Sequence, residues 1–267
     1  MKKHLIYLVA SAALLATGCS SETNLEEGGY GTLAVACSTD PSIGTAADRA
    51  RLSRAATAPA GEAFSLTVTG EGGTQKWETI AAFLESGTVF KMGGYTVAVA
   101  HGDPEAEGID KPYYTGSETV TILPRRTVTA EVTAKIANSQ TVVRATQQFL
   151  DYFHDARFTV TTASGNEFVF TPGSQPADEP VFVKAGTSLK ITGTARRQSP
   201  TGEGDGPEVT FGEQTLGATE PRTCHIFRFD AKEAGSATLT ITFSDEYTVT
   251  VPIDVELNEG AIDDKKE

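Results

Sequence analysis

Between Thr127 and Ile136 every second residue is apolar (Val128, Ala130, Val132, Ala134, Ile136), and the residues between them are Thr, Glu or Lys. A segment with that period of two buries one face only as a β-strand, because successive strand side chains point to opposite faces. The pattern, rich in Val, Thr, Ile and Phe, recurs from Gly31 almost to the end of the chain, and long helical periodicity is nearly absent. The fold class this predicts is all-β.

Strands are expected at Gly31 to Ser38, Ala63 to Gly70, Gly94 to His101, Glu118 to Leu123 and Thr127 to Ile136, with Pro124-Arg125-Arg126 as a hairpin turn. A second series is expected at Gln140 to Ala145, Arg157 to Thr162, Glu167 to Thr171, Pro180 to Val183, Ser188 to Arg196, Glu208 to Phe211, Cys224 to Phe229, Ala237 to Phe243 and Tyr247 to Glu256. Two helical signals interrupt them. Trp77, Ile80, Ala81 and Leu84 recur at helical spacing ahead of Gly87, and Phe149, Tyr152 and Phe153 share a face within Thr146 to Ala156. Short strands separated by Gly and Pro predict two tandem antiparallel β-sandwich domains, immunoglobulin- or transthyretin-like, with short helices. Their expected limits are 30–136, with a loop at 41–61, and 137–258, followed by a charged tail at 259–267. Ser199 to Pro207 is expected to be a long exposed loop.

The N-terminus predicts an address. Lys2 and Lys3 precede an apolar run, Leu5 to Leu15, which is too short for a bilayer that takes about 20 apolar residues. Leu14-Leu15-Ala16-Thr17-Gly18-Cys19 then has the form of a lipoprotein cleavage site, so residues 1–18 are expected to be a signal peptide. Cys19 would carry diacylglycerol on sulfur and a further acyl chain, such as palmitate, on its amine. Residues 19–29 form an acidic, serine-containing tether. The net charge of −13 repels nucleic acid and anionic lipid alike, so no nucleic-acid partner is expected, and with no basic patch or amphipathic basic helix in the sequence the membrane is reached through the lipid on Cys19. Cys37 and Cys224 are too few for a disulfide scaffold; they are either buried free thiols or a single pair.

Several stretches in order along the chain resemble a known family. These are Gly94-Tyr95-Thr96-Val97, His101-Gly102-Asp103, Pro112-Tyr113-Tyr114-Thr115-Gly116-Ser117, Lys135-Ile136-Ala137-Asn138 and Phe149-Leu150-Asp151-Tyr152-Phe153. They are similar to Bacteroidetes lipoproteins of domain-of-unknown-function family 4493. That resemblance implies a β-rich exported protein at the outer membrane, displayed at the cell surface, with no catalytic residue set to carry over. It also implies a distant likeness to fimbrillin-like pilins and adhesins, which stack two sandwich domains behind a lipidated cysteine.

No pattern in the chain specifies a reaction or a cofactor. His101, His154 and His225 are scattered, without a glycine-flanked serine or a His-Glu-x-x-His helix beside them, and Cys224 and His225 face opposite ways on a strand. Asp103, Glu105, Glu107 and Asp110 resemble a calcium loop, but Tyr114 stands where a bidentate Glu is needed, so a solvated acidic loop is expected and no metal. Trp77, Tyr113 and Tyr114 are the aromatic residues that could stack on a sugar, against ordinary packing. Arg49, Arg51 and Arg54 lie between the first two strands, as cleavage arginines do in pilins that lose their first strand to open a groove, against an ordinary basic patch in a loop. The expectation is a non-catalytic, lipid-anchored surface protein with a structural or adhesive, pilin-like role. The alternative is a surface glycan-binding lipoprotein, and the partner is accordingly a protein or a glycan.

Overall fold

The computed structural model describes residues 29–44, 57–198, 206–232, 236–242 and 248–253. The expected signal peptide, Cys19, the tether up to residue 28, Arg49, Arg51, Arg54, residues 199–205 of the expected long loop and the charged tail lie outside the described residues. The first series comprises β1 (Tyr30–Asp40), β2 (Ser65–Gly70), β3 (Gly73–Trp77), α1 (Ile80–Ser86), β4 (Val89–Lys91), β5 (Gly93–His101), β6 (Tyr114–Ile122) and β7 (Thr127–Ile136). The second comprises β8 (Ser139–Ala145), α2 (Gln147–Tyr152), β9 (Phe153–Thr162), β10 (Glu167–Phe170), β11 (Val181–Val183), β12 (Leu189–Arg197), β13 (Glu208–Leu216), β14 (Cys224–Lys232), β15 (Ser236–Thr242) and β16 (Thr248–Ile253). The described residues are all-β with two short α-helices and one 3-10 turn at Gly61–Ala63.

The strands form a seven-stranded sheet in the order β3-β2-β5-β6-β7-β1-β4, a four-stranded sheet β10-β9-β12-β13 and a five-stranded sheet β11-β8-β14-β15-β16. They are not uniformly antiparallel, as the sequence had suggested. β1 runs parallel to β7 from Thr32↔Thr127 to Asp40↔Lys135, and β8 runs parallel to β14 from Cys224↔Gln140 to Phe229↔Ala145. Hairpin spacing predicts only local antiparallel partners, whereas a parallel partner requires a long crossover, here nearly a whole half of the chain.

These parallel pairs reveal a repeat. In each half the first strand lies between a late parallel strand and a three-residue antiparallel one: β7-β1-β4 and β14-β8-β11. The remaining strands also correspond in order, β3-β2-β5-β6 with β10-β9-β12-β13. The second half then adds the β15–β16 hairpin along β14. In the first half β6 meets β7 only at Tyr114↔Ile136 and Thr115↔Lys135. The turn at Pro124–Arg126 is present, with Arg125 at φ 56°, but the strands do not pair beside it.

Each half has its own core. Leu33, Val35, Leu66, Val97, Val132 and Phe83 contribute to the first. The second is built on stacked rings, with Phe158 and Phe229 at 3.7 Å and Phe149 and Phe153 at 4.7 Å between centroids. Full burial of each such side chain contributes about 1.5–3 kcal/mol. The cores are coupled: Phe182, on β11 of the second half, is buried in the first core, and Ile43 packs against both.

The helices are shorter than expected. Trp77 belongs to β3, and α1 begins at Ile80 because Thr79 Oγ1 accepts the Ala82 amide at 3.0 Å. Gly87 ends it in the left-handed region that glycine enters without strain. Its inward residues are Ile80 and Phe83, and Leu84 points to solvent. Likewise Thr146 caps α2 by accepting the Phe149 amide at 3.2 Å, and Phe153 is buried as the first residue of β9. The short edge strands β3 and β4 were not expected from the sequence.

Candidate functional site

The feature with most capacity for function is the seat of β1. Gly31, Leu33 and Val35 face inward, and Thr32 and Ala36 face out. Strand entry is tight. A Cβ on Gly31 would lie 2.3 Å from the Leu123 carbonyl oxygen and 2.8 Å from that of Arg126, so only glycine fits there. Thr32 N donates to Arg126 O (3.0 Å), Arg125 N to Tyr30 O (2.7 Å) and Met92 N to Gly29 O (2.7 Å). Paired hydroxyls on the outer face, Thr32 with Thr127 and Ser38 with Thr133, tie β1 to β7.

The far end of β1 is latched to the second half. Arg222 Nη2 donates to Asp40 Oδ2 (2.8 Å) and Ser42 Oγ (2.6 Å), and Gly44 bridges Thr223, directly ahead of β14. The Ser42 hydroxyl and amide, and then Arg222, hold the Asp40 carboxyl below its ordinary range. Residues 41–44 therefore extend β1 from one half onto the other and are not a free surface loop.

The acidic segment is exposed at Asp103, Glu105 and Asp110, whereas Glu107 is half-buried at the junction of the two halves. Both Glu107 oxygens are engaged: Oε2 accepts from Thr162 Oγ1 and Asn166 Nδ2, each at 2.7 Å, and Oε1 accepts from Lys184 N at 3.1 Å. Glu105 pairs with the Lys184 ammonium, whose pKa is raised chiefly by that hydrogen bond. Asp103 accepts the Glu105 amide, and Asp110 is exposed with φ 53°. Glu105 and Glu107 clasp the two halves, and among the described residues no group of three or more His, Cys, Asp or Glu could hold a metal ion. On the other side of the junction Asn138 Nδ2 donates to Lys111 O and its Oδ1 accepts from Tyr113 N.

The aromatic candidates do not form an exposed platform. Tyr114 is fully buried, 6.2 Å from Phe64, and offers no face to a sugar. Trp77 packs edge-on against Phe83 at 4.9 Å and Phe90 at 6.4 Å. Tyr113 is half-buried at the junction, its main chain bonded to Asn138 and Ala137.

The titratable residues lie in separate settings. His101 sits at the end of β5 with its ring 5.3 Å from Phe64 and lines a cleft of about 340 Å³ with Asp103 and Lys111. His154 meets Asp155 at 2.9 Å. His225 is buried and its Nε2 accepts the Glu220 amide at 3.1 Å; burial lowers its pKa. Cys224, beside it on β14, is buried in the second core, and desolvation pushes its thiol up to about 12. A thiol held protonated beside an imidazole whose Nε2 is occupied is not an activated nucleophile. Cys37 and Cys224 are both free thiols, Cys37 half-buried. Among the described residues no helix is long and apolar enough to cross a membrane.

Comparison with known proteins gives one family and several structural likenesses. The family model for a domain of unknown function, DUF4493, matches residues 28–259. No curated protein matches the chain. Similar solved structures include a Bacteroides eggerthii protein assigned to cell adhesion (TM-score 0.39, 8% identity, covering 86% of this chain and 96% of that one). A Bacteroides thetaiotaomicron structure assigned to polysaccharide binding (DUF1812) has TM-score 0.39 and 11% identity over 82% of this chain and 97% of that one. A fimbrial protein from Bacteroides ovatus has TM-score 0.34 and 10% identity over 80% of this chain and 54% of that one.

Proposed function

We propose that this chain, which belongs to the DUF4493 family, is a lipid-anchored surface protein of two β-sandwich halves with a structural or adhesive role and no catalytic one. Its finer form is pilin-like: the first strand is a replaceable part. One observation carries this reading. β1 is an inner strand of its sheet, bonded to β7 on one side and β4 on the other, yet it reaches β2 only through residues 41–64, which include Arg49, Arg51 and Arg54. A cut at any of these arginines turns β1 and everything before it, Cys19 included, into a peptide held by hydrogen bonds and packing alone. Its departure would open the facing edges of β7 and β4, and unpaired backbone groups beside an apolar groove accept a strand from another chain. The corresponding strand of the second half, β8, is followed after one residue by α2 and has no such segment.

The test is an arginine-specific protease applied to the purified protein, with the cut confirmed by mass and assembly followed by light scattering. The cut protein should associate, and the Arg49→Ala, Arg51→Ala, Arg54→Ala variant should stay monomeric. A cut protein that remains monomeric with β1 bound would leave the pilin-like form without a mechanism.

A further inference from the structure

We infer that the end of the first half where β1 begins is a docking surface for an anionic phospholipid bilayer, the one that would hold the lipid on Cys19; the inference rests on that anchor reading. Seven large apolar side chains stand exposed among the described residues, and four of them gather here: Tyr30, Val89, Met92 and Leu123. The register explains how. Tyr30 pairs with Lys91 and Thr32 with Val89, while the residues between, Gly31 and Phe90, turn inward. Tyr30, Val89 and Lys91 therefore share the outer face of the β1–β4 ladder. The bonds from Met92 N to Gly29 O and from Arg125 N to Tyr30 O draw Met92 and the β6–β7 turn onto the same rim.

Charge singles out the same place. Segments 29–32, 89–94 and 121–127 contain Lys91, Arg125 and Arg126, all exposed, and no Asp or Glu, in a chain of net charge −13. Acids do lie nearby in sequence or in neighbouring elements, Glu26 and Glu27 in the tether just ahead of Gly29, Glu71 in the β2–β3 turn and Glu85 in α1, but none falls within the three segments. Tyr, Met and Leu side chains beside Lys and Arg suit a headgroup interface, where apolar bodies enter the acyl boundary and cations meet phosphates.

Position selects a bilayer over a protein partner. From Cys19 to Tyr30 the chain spans at most about 40 Å whatever its path. The opposite end of β1, at Asp40, lies roughly 35 Å farther along the strand, next to the second half. The Tyr30 end is thus the part of the described fold whose distance from the anchor the chain limits most tightly. A tether of this length brings the local concentration of headgroups into about the millimolar range, so the patch can engage weakly and still be occupied.

Met92 is the single methionine after Cys19, which gives the patch its own reporter. The chain from Ser20 onward, with a hexahistidine in place of Cys19, is tethered to vesicles through a nickel-chelating lipid, and peroxide oxidation of Met92 is followed by mass. On phosphatidylethanolamine–phosphatidylglycerol vesicles the sulfoxide should form several-fold more slowly than on phosphatidylcholine vesicles. The protection should vanish in the Lys91→Glu, Arg125→Glu, Arg126→Glu variant, whose fold is checked by Trp77 fluorescence. Equal oxidation on both vesicles, or protection that survives the charge reversal, would overturn the inference and leave the patch to a protein partner. The artificial tether makes this result independent of acylation. The mass of the N-terminal peptide from the native protein tests the anchor reading separately.

Discussion

Removing one ring from the second half should destabilise the first. Phe182 lies on β11, paired with β8 through Gln140, yet its side chain is 3% exposed within the core made by β1, β2, β5 and β7. Its main chain also exchanges two hydrogen bonds with Gly108 of the acidic segment, at 2.8 and 2.9 Å. Phe182→Ala leaves those bonds in place and deletes the ring, a change that costs about 3–5 kcal/mol in a core that cannot collapse around the gap. With a urea slope near 2 kcal/mol/M, the transition that reports on the first core should fall by about 1.5–2.5 M. The chain supplies its own probe, since its single Trp, Trp77, packs in the first core against Phe83 and Phe90. Trp77 fluorescence should therefore lose structure at lower urea in the variant, ahead of the circular dichroism change of the whole protein. Phe170→Ala, a cut of the same size in the second core, should leave the Trp77 transition later than Phe182→Ala does. A Trp77 midpoint that stays within error of the wild type in Phe182→Ala would refute the argument that Phe182 couples the halves.

Other consequences follow from the same contacts. Gly31→Val should unseat β1, because its Cβ meets the Leu123 and Arg126 carbonyls, and a loss of about 1–3 kcal/mol is expected in chemical unfolding. Glu107→Gln keeps the shape of the clasp and loses its charge; with three donors converging on one carboxylate, a cost of about 1.5–3 kcal/mol is expected in the same assay. Burial lowers the His225 pKa below its unfolded value of about 6.5, so the unfolded chain binds the proton first as pH falls. Its contribution is therefore present above about pH 6.5 and declines below it, and His225→Gln should flatten the melting temperature against pH in that range. The Cys224 thiol, pushed up to about 12, should resist alkylation at pH 8 in the native protein and react once it is unfolded.

Alternation within a strand is a local property, and it located the elements well. Thr127–Ile136 coincides with β7, and β1, β5, β8 and β12 fall within two residues of their expected ends. Partner choice is not local. Nothing in the spacing of β1 distinguishes a hairpin partner from β7, which lies beyond five intervening strands, so the parallel pairs and the repeat they define were invisible. The same limit applied to the acidic segment. The partners of Glu107, namely Thr162, Asn166 and Lys184, and the Lys184 that pairs with exposed Glu105 all arrive from the other half, so the spacing of the acids does not reveal them. Tyr113 and Tyr114 were separable by alternation alone, one half-buried and one in the core, but which faced inward depended on the start of β6, four residues earlier than the pattern indicated. The basic, apolar tip is assembled from three distant segments, none of which carries a recognisable motif.

The proposed function requires that another strand can take the place of β1 once its covalent link is cut. It is tested most directly by incubating arginine-cleaved protein with an isotope-labelled synthetic peptide spanning Tyr30–Asp40 and weighing the complexes by native mass spectrometry. One labelled peptide per chain should be taken up with loss of the resident strand, faster when the Arg222→Ala change removes the latch on Asp40, and uncut protein should take up none. Cleaved protein that keeps its own strand and admits no peptide, with or without Arg222, would contradict it.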